Sequence, residues 1–242
     1  MQARTRLSLW PGALSCGAWC LAIALAAWPG ASAVAQVAPS ATEVARYTGL
    51  QAAAHKGDLP QLKKLLASGT DVNARDPFGR TALHIATFAR QREVIRLLAQ
   101  AGANLQLLEN DRYDGVTIAS VADDEATLRV LLALGASARL TTSRYDGTAL
   151  IAAAHLGHDG VVKQLIAAKA PLDHVNNLHW TAMIEAVVLG DGGPRHQEVL
   201  RALLAAGANT QLADREGNTP LALARTRNYT AMVRMLEQAG AK

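Results

Sequence analysis

The chain repeats itself about every 33 residues, and this period restricts its fold more than any other feature. A small-residue turn returns at Gly69-Thr70, Gly102-Ala103, Gly135-Ala136, Lys169-Ala170, Gly207-Ala208 and Gly240-Ala241, in steps of 33, 33, 34, 38 and 33 residues. Periods of this length mark stacks of small units, none of which buries its apolar face alone. Twenty-one residues before five of the turns stands a residue suited to capping a helix: Thr48, Thr81, Asp114, Thr148 and Thr219. In the fifth unit the cap, Thr181, lies 26 residues ahead of Gly207, and the five extra residues fall within Gly190-Asp191-Gly192-Gly193-Pro194-Arg195.

Apolar positions keep the same register. Two and five residues after the caps come Leu50 and Ala53, Leu83 and Ala86, Val116 and Ala119, Leu150 and Ala153, Met183 and Ala186, and Leu221 and Ala224. Residues three apart share one face of a helix. Later in the units come Leu62 and Leu65, Ile95 and Leu98, Leu128 and Leu131, Val162 and Leu165, Leu200 and Leu203, and Val233 and Leu236, a second amphipathic helix. Each unit therefore reads as cap, short helix, turn, second helix, glycine stop and loop. Thr or Asp at the cap accepts from free amides, and Gly at the stop tolerates the left-handed conformation.

Thr81-Ala82-Leu83-His84-Ile85-Ala86 and Thr219-Pro220-Leu221-Ala222-Leu223-Ala224 resemble the T-P-L-H-x-A signature of the ankyrin repeat. Asp76-Pro77-Phe78-Gly79-Arg80-Thr81 and Asp214-Arg215-Glu216-Gly217-Asn218-Thr219 resemble the D-x-x-G-x-T turn that leads into it. Leu97-Leu98 through Gly102-Ala103-Asn104, and Leu203-Leu204 through Gly207-Ala208-Asn209, resemble its ending. The resemblance covers residues 42–242. It implies an all-α solenoid of about six helix-turn-helix units with hairpin loops, near 42–75, 76–109, 110–142, 143–175, 176–212 and 213–242. It also implies that His84 serves hydrogen bonding between neighbouring turns.

Four places depart from the pattern. Asp114-Gly115-Val116-Thr117-Ile118-Ala119 replaces the signature, with Asp114 still able to cap. Arg144-Tyr145-Asp146-Gly147-Thr148 reads as one residue short between Gly and Thr. Lys169 stands where Gly would end a helix, which implies strain or a different closure. Asn177-Leu178-His179-Trp180-Thr181 has no glycine for its tip. At the ends, Ser40-Ala41-Thr42-Glu43 has the spacing of a capping box, and Arg225, Arg227, Arg234 and Glu237 suit the solvated outer face of a terminal unit.

The first 35 residues read as a cleavable signal peptide. Arg4 and Arg6 precede an apolar run from Leu7 to Trp28, and Ala33-Val34-Ala35 supplies a small-x-small cleavage site. The alternative is a retained anchor, since the run approaches membrane-spanning length. Residues 36–41 read as a flexible tail. Export points to the bacterial envelope, periplasm first and secretion beyond the outer membrane as the further option. Both cysteines, Cys16 and Cys20, lie in the leader, so the remaining chain holds no thiol chemistry. Lys and Arg number 24 against 20 Asp and Glu. Without Arg4 and Arg6 the balance is 22 against 20, a net charge of +2 that gives no basis for a nucleic-acid partner.

Enzyme signatures are missing: no phosphate loop ending in Lys-Ser or Lys-Thr, no G-x-S-x-G, no H-E-x-x-H. Gly190-Asp191-Gly192-Gly193 joins two helices, so it reads as a flexible loop. His155, His158, His174 and His179 lack the spacing of a metal site. Asp123-Asp124-Glu125 lacks the alternation of a calcium loop and reads as a solvated turn. No enzyme activity, metal or cofactor is expected.

The hairpin tips carry the candidate partner-binding residues Arg112, Tyr113, Arg144, Tyr145, His179 and Trp180. Tyr, Trp and Arg are enriched at interface hot spots because they bury large areas at low entropy cost. For Tyr113 and Tyr145, partner contact and local packing remain equal alternatives, while Phe78 and Trp180 are expected to pack inward. The insertion at 190–195 is expected to project from another edge. The resemblance implies a concave face of hairpins and first helices that binds a protein partner, of identity the sequence does not disclose. Two other roles stay open. One is a haem or small-ligand accessory protein in peroxide defence, since some exported bacterial ankyrin-repeat proteins are linked to catalase. The other is a secreted effector that binds host proteins.

Overall fold

The computed structural model describes residues 38–242. The leader, its cleavage site and the first part of the tail lie outside them. The described residues belong to one compact unit. The described residues contain thirteen helices and no strand. They are α1 (Ala41–Ala45), α2 (Gly49–Lys56), α3 (Leu59–Ala67), α4 (Ala82–Phe88), α5 (Arg92–Gln100), α6 (Gly115–Val121), α7 (Glu125–Ala133), α8 (Ala149–His155), α9 (Asp159–Ala167), α10 (Ala182–Val188), α11 (Pro194–Ala205), α12 (Pro220–Thr226) and α13 (Thr230–Gln238).

After the short α1, the helices form six antiparallel pairs. Each first helix (α2, α4, α6, α8, α10, α12) packs on the next first helix, and each second helix packs on the next second helix. The result is two layers with one core between them. All twelve apolar positions read two and five residues after the caps are buried. Of the second-helix positions, Leu65 and Val233 are only partly buried. They belong to the end units, which have a neighbour on one side only.

The helix starts are built in more than one way. Asp114, Thr148, Thr181 and Thr219 accept from the amides of Thr117, Ile151, Ile184 and Ala222. Thr48 makes no such bond. At Thr81 the roles reverse: its N–H donates to His84 Nδ1 over 3.0 Å. An accepting Nδ1 leaves the proton on Nε2, which donates to the Leu107 carbonyl over 2.9 Å. His84 thus closes its own cap and ties unit two to the approach of unit three. Burial lowers its pKa to about 4, so it stays neutral. Ser40 and Glu43 form a reciprocal capping box that opens α1, so Ser40 and Ala41 belong to an ordered start and not to a tail.

Lys169 closes its helix as the glycines do. Its φ is 63°, and the Ala170 N–H reaches the Leu165 carbonyl over 3.0 Å. The cost is left-handed strain of about 1 kcal/mol. In Asp123-Asp124-Glu125 the outer two residues are exposed as expected, but the middle one is not. Asp124 is buried and caps α7, accepting from the Thr127 amide and hydroxyl. No helix among the described residues is long and apolar enough to cross a membrane.

Candidate functional site

Five hairpins separate the units, and four share one construction. In Asp76–Arg80, Glu109–Tyr113, Asn176–Trp180 and Asp214–Asn218 the first residue donates its N–H to the carbonyl of the fifth. The side chain of that first residue accepts the N–H groups of the third and fifth, at 2.7–3.0 Å. The fourth residue turns the corner with positive φ: Gly79, Arg112, His179 and Gly217. The glycine-free tip at 177–181 therefore closes normally, on His179 at φ 68°.

The hairpin before α8 is not one residue short. Asp146 takes the left-handed corner, Gly147 takes the place held elsewhere by Arg80, and the spacing to Thr148 is kept. Its extra residue lies upstream: Thr142 pairs with Gly147 across one added position, which Ser143 accommodates at φ 64°. The side chains at the corner and the glycine had exchanged places, which sequence spacing alone does not reveal.

Successive tips are linked. The N–H of Asn110 donates to Phe78, that of Ser143 to Arg112, and that of Asn177 to Tyr145, all at 2.9–3.0 Å. Arg112 pairs with Asp146 at 2.7 Å and Arg144 with Asp111 at 3.6 Å, so the second and third tips exchange ion pairs. These pairs are exposed and contribute little to stability. Tyr113, Tyr145 and Trp180 are half-buried, while Arg112, Arg144 and His179 are exposed. Burial raises the Tyr113 pKa. Phe78 does not pack inward. It is 46% exposed, with the Arg80 guanidinium 4.3 Å from its ring centre. Asp76 and Glu43 each hold Arg80 at 2.9 Å.

The face extends from the tips onto the first helices. Phe88, at the end of α4, lines one cavity of about 180 Å³ together with Phe78, Asp111 and Tyr113. The matching ends of the next helices carry Val121, His155 with Leu156, and Val188 with Leu189. Of five large apolar side chains exposed among the described residues, Phe78, Leu178, Leu156 and Leu189 lie on this face. The signal for the leucines is their place in the sequence, eight residues after caps Thr148 and Thr181.

The insertion folds back instead of projecting. Gly190 is buried, and its carbonyl accepts from Tyr229 Oη over 2.9 Å. His196 reaches the His155 carbonyl at 2.9 Å, and Arg195 pairs with Asp123 at 2.8 Å. Two other histidines are similarly engaged. His158 lies 2.9 Å from the Ser120 carbonyl and His174 lies 2.6 Å from that of Asp146. Among the described residues no group of three or more His, Cys, Asp or Glu is placed to hold a metal ion.

Comparison with known proteins agrees with this architecture. A family model described as ankyrin repeats (three copies) matches residues 50–142 and 116–213. The chain is 35% identical over 190 residues to the ankyrin repeat protein YahD of Escherichia coli (strain K12), spanning 78% of this chain and 94% of that protein. An ankyrin repeat domain from Acinetobacter baumannii AYE superposes with a TM-score of 0.76 at 42% identity, over 80% of this chain and 98% of that one. The ankyrin repeat domain of Bcl-3 superposes with a TM-score of 0.73 at 26% identity, over 81% and 88%. With its six helical pairs, its hairpin ladder and these similarities, the chain belongs to the ankyrin-repeat family.

Proposed function

We propose that the protein is a non-enzymatic scaffold of the bacterial cell envelope that binds a protein partner through its hairpin tips and first-helix face. Ankyrin repeats in general mediate protein–protein interaction. The observation that carries the reading for this chain is the placement of Phe78, Leu178, Leu156 and Leu189 on one face, beside tips cross-linked by hydrogen bonds. A pre-ordered apolar surface binds without first having to be ordered, which lowers the cost of association. The leader supports the envelope location through its positive start, apolar run and small-residue site.

The test is capture from an envelope extract by immobilised residues 36–242. The comparison bait carries Phe78→Ala and Leu178→Ala, both at exposed positions, and its folding is checked by urea unfolding. A protein retained by the parent and lost from the folded variant supports the reading. Equal retention by both baits removes the hairpin face from the interaction.

A further inference from the structure

One carboxylate breaks the apolar row beneath this face. Four residues after the caps stand Ala52, Ile85, Ile118, Ala152, Glu185 and Leu223. Glu185 is 4% exposed. On α10 it lies three and four residues before Val188 and Leu189, hence on the same helix face. Its Oε1 accepts from Asn176 Nδ2 over 3.0 Å. Its Oε2 lies 3.4 Å from His155 Nδ1, at the end of the neighbouring α8. No Lys or Arg among the described residues lies within ion-pair distance of it. Burial lowers the His155 pKa, and His196 and His158 lower it further, which weakens His155 as a counter-charge. The same burial pushes the Glu185 carboxyl up to about 7.

The other buried charged side chains are used inside the fold: Arg80 is held by Asp76 and Glu43, Glu109 accepts the hairpin amides of Asp111 and Tyr113, and Asp114 and Asp124 cap α6 and α7. Glu185 completes no cap, and its position is apolar in every other unit. A desolvated carboxylate without a counter-charge is costly, and an incoming cation that displaces no water from it recovers that cost. An apolar surround makes such a contact selective, because a neutral side chain leaves the charge unpaired.

We propose that the face takes an apolar protein segment bearing a single lysine or arginine, whose cation seats against Glu185 beside His155 while its apolar neighbours cover Leu156 and Leu189. This rests on the protein-binding reading above and names the chemistry of the partner.

The probe is a random dodecapeptide library displayed on phage, panned separately on residues 36–242 and on the Glu185→Gln variant. Gln keeps the acceptor for Asn176, and urea unfolding verifies that the variant is folded. On the parent, recovered peptides should carry one Lys or Arg between apolar residues, about tenfold above its input frequency. On Glu185→Gln the apolar preference should persist and the basic excess should fall to input level. Apolar peptides without a basic excess on the parent, or the same excess on both baits, overturn the cation site alone. Failure to enrich any peptide on either bait overturns the binding-face reading with it.

Discussion

The hairpins Asp76–Arg80 and Asn176–Trp180 make the same turn with opposite electrostatics. In the first, Asp76 accepts two backbone amides through Oδ1 and pairs with Arg80 through Oδ2, and Glu43 completes the group. Its corner is a glycine, and every charge is matched within the fold. In the second, an amide does the work of the carboxylate. Asn176 Oδ1 accepts the two amides and Nδ2 turns inward to Glu185. Its corner is His179, held at φ 68°. Strain and an unmatched charge thus gather at one tip and are absent from the other. Such features tend to persist where function uses them.

Changing one atom at the second tip should produce the largest effect. Asn176→Asp places two carboxylates where Nδ2 and Oε1 now bond, and should lower stability by about 4 kcal/mol at pH 8. Most of that loss should disappear at pH 5, where the pair shares a proton. Urea midpoints at the two pH values measure it, and equal losses at both would disconnect the tip from Glu185.

Gly79→Ala and Gly217→Ala separate close packing from corner strain. A Cβ at Gly79 would run into the Asn110 side chain and stand 3.1 Å from its backbone nitrogen, while one at Gly217 meets nothing within 4 Å. The expected losses are about 3 kcal/mol at Gly79, from clash and strain together, and about 1 kcal/mol at Gly217, from strain alone. Equal losses would mean that the tips are not locked against one another.

The pH profile sharpens the electrostatic contrast. Glu185 has a folded pKa of about 7 against an ordinary value of 4.5. Its contribution to stability is whole below pH 4.5 and is lost as pH rises through 7, on the order of 3 kcal/mol. Glu185→Gln should therefore gain on the parent between those values and hold a constant advantage above them. His84 acts in the other direction. Its pKa falls from 6.5 to about 4, so its contribution is whole above 6.5 and is lost as pH falls through 4. That acid limb should be common to parent and variant, and superimposable profiles throughout would show that Glu185 is not desolvated.

The smallest expected effect is the most specific to the corner. His179→Gly removes left-handed strain and should raise stability by about 1 kcal/mol. Partner capture should weaken in the same variant, because the exposed imidazole is gone. A stabilised variant with undiminished capture would leave His179 as a corner residue only.

Repetition in sequence determined the fold. A 33-residue clock places equivalent side chains at equivalent sites, so Leu83, Val116, Leu150 and Met183 had to share one core. Helix ends were equally legible, and even Lys169 closes its helix because the preceding turn supplies the same carbonyls. Other features were decided only in three dimensions. Which residue of Ser143–Gly147 turns the corner depends on how the neighbouring tip hydrogen-bonds to it. The extra residues at 190–195 look free in sequence, yet Tyr229 and Asp123 from two other units hold Gly190 and Arg195, and His155 holds His196 beside them. Phe78, expected to pack inward, is exposed, with the buried Arg80 guanidinium against its ring. Glu185 was one acidic residue among 20 Asp and Glu until α8, α10 and the Asn176 tip enclosed it. The physical reason is common to these cases. Periodicity specifies what a residue contributes to its own unit, whereas charge matching and exposure depend on the units beside it, which only the packed stack brings within reach.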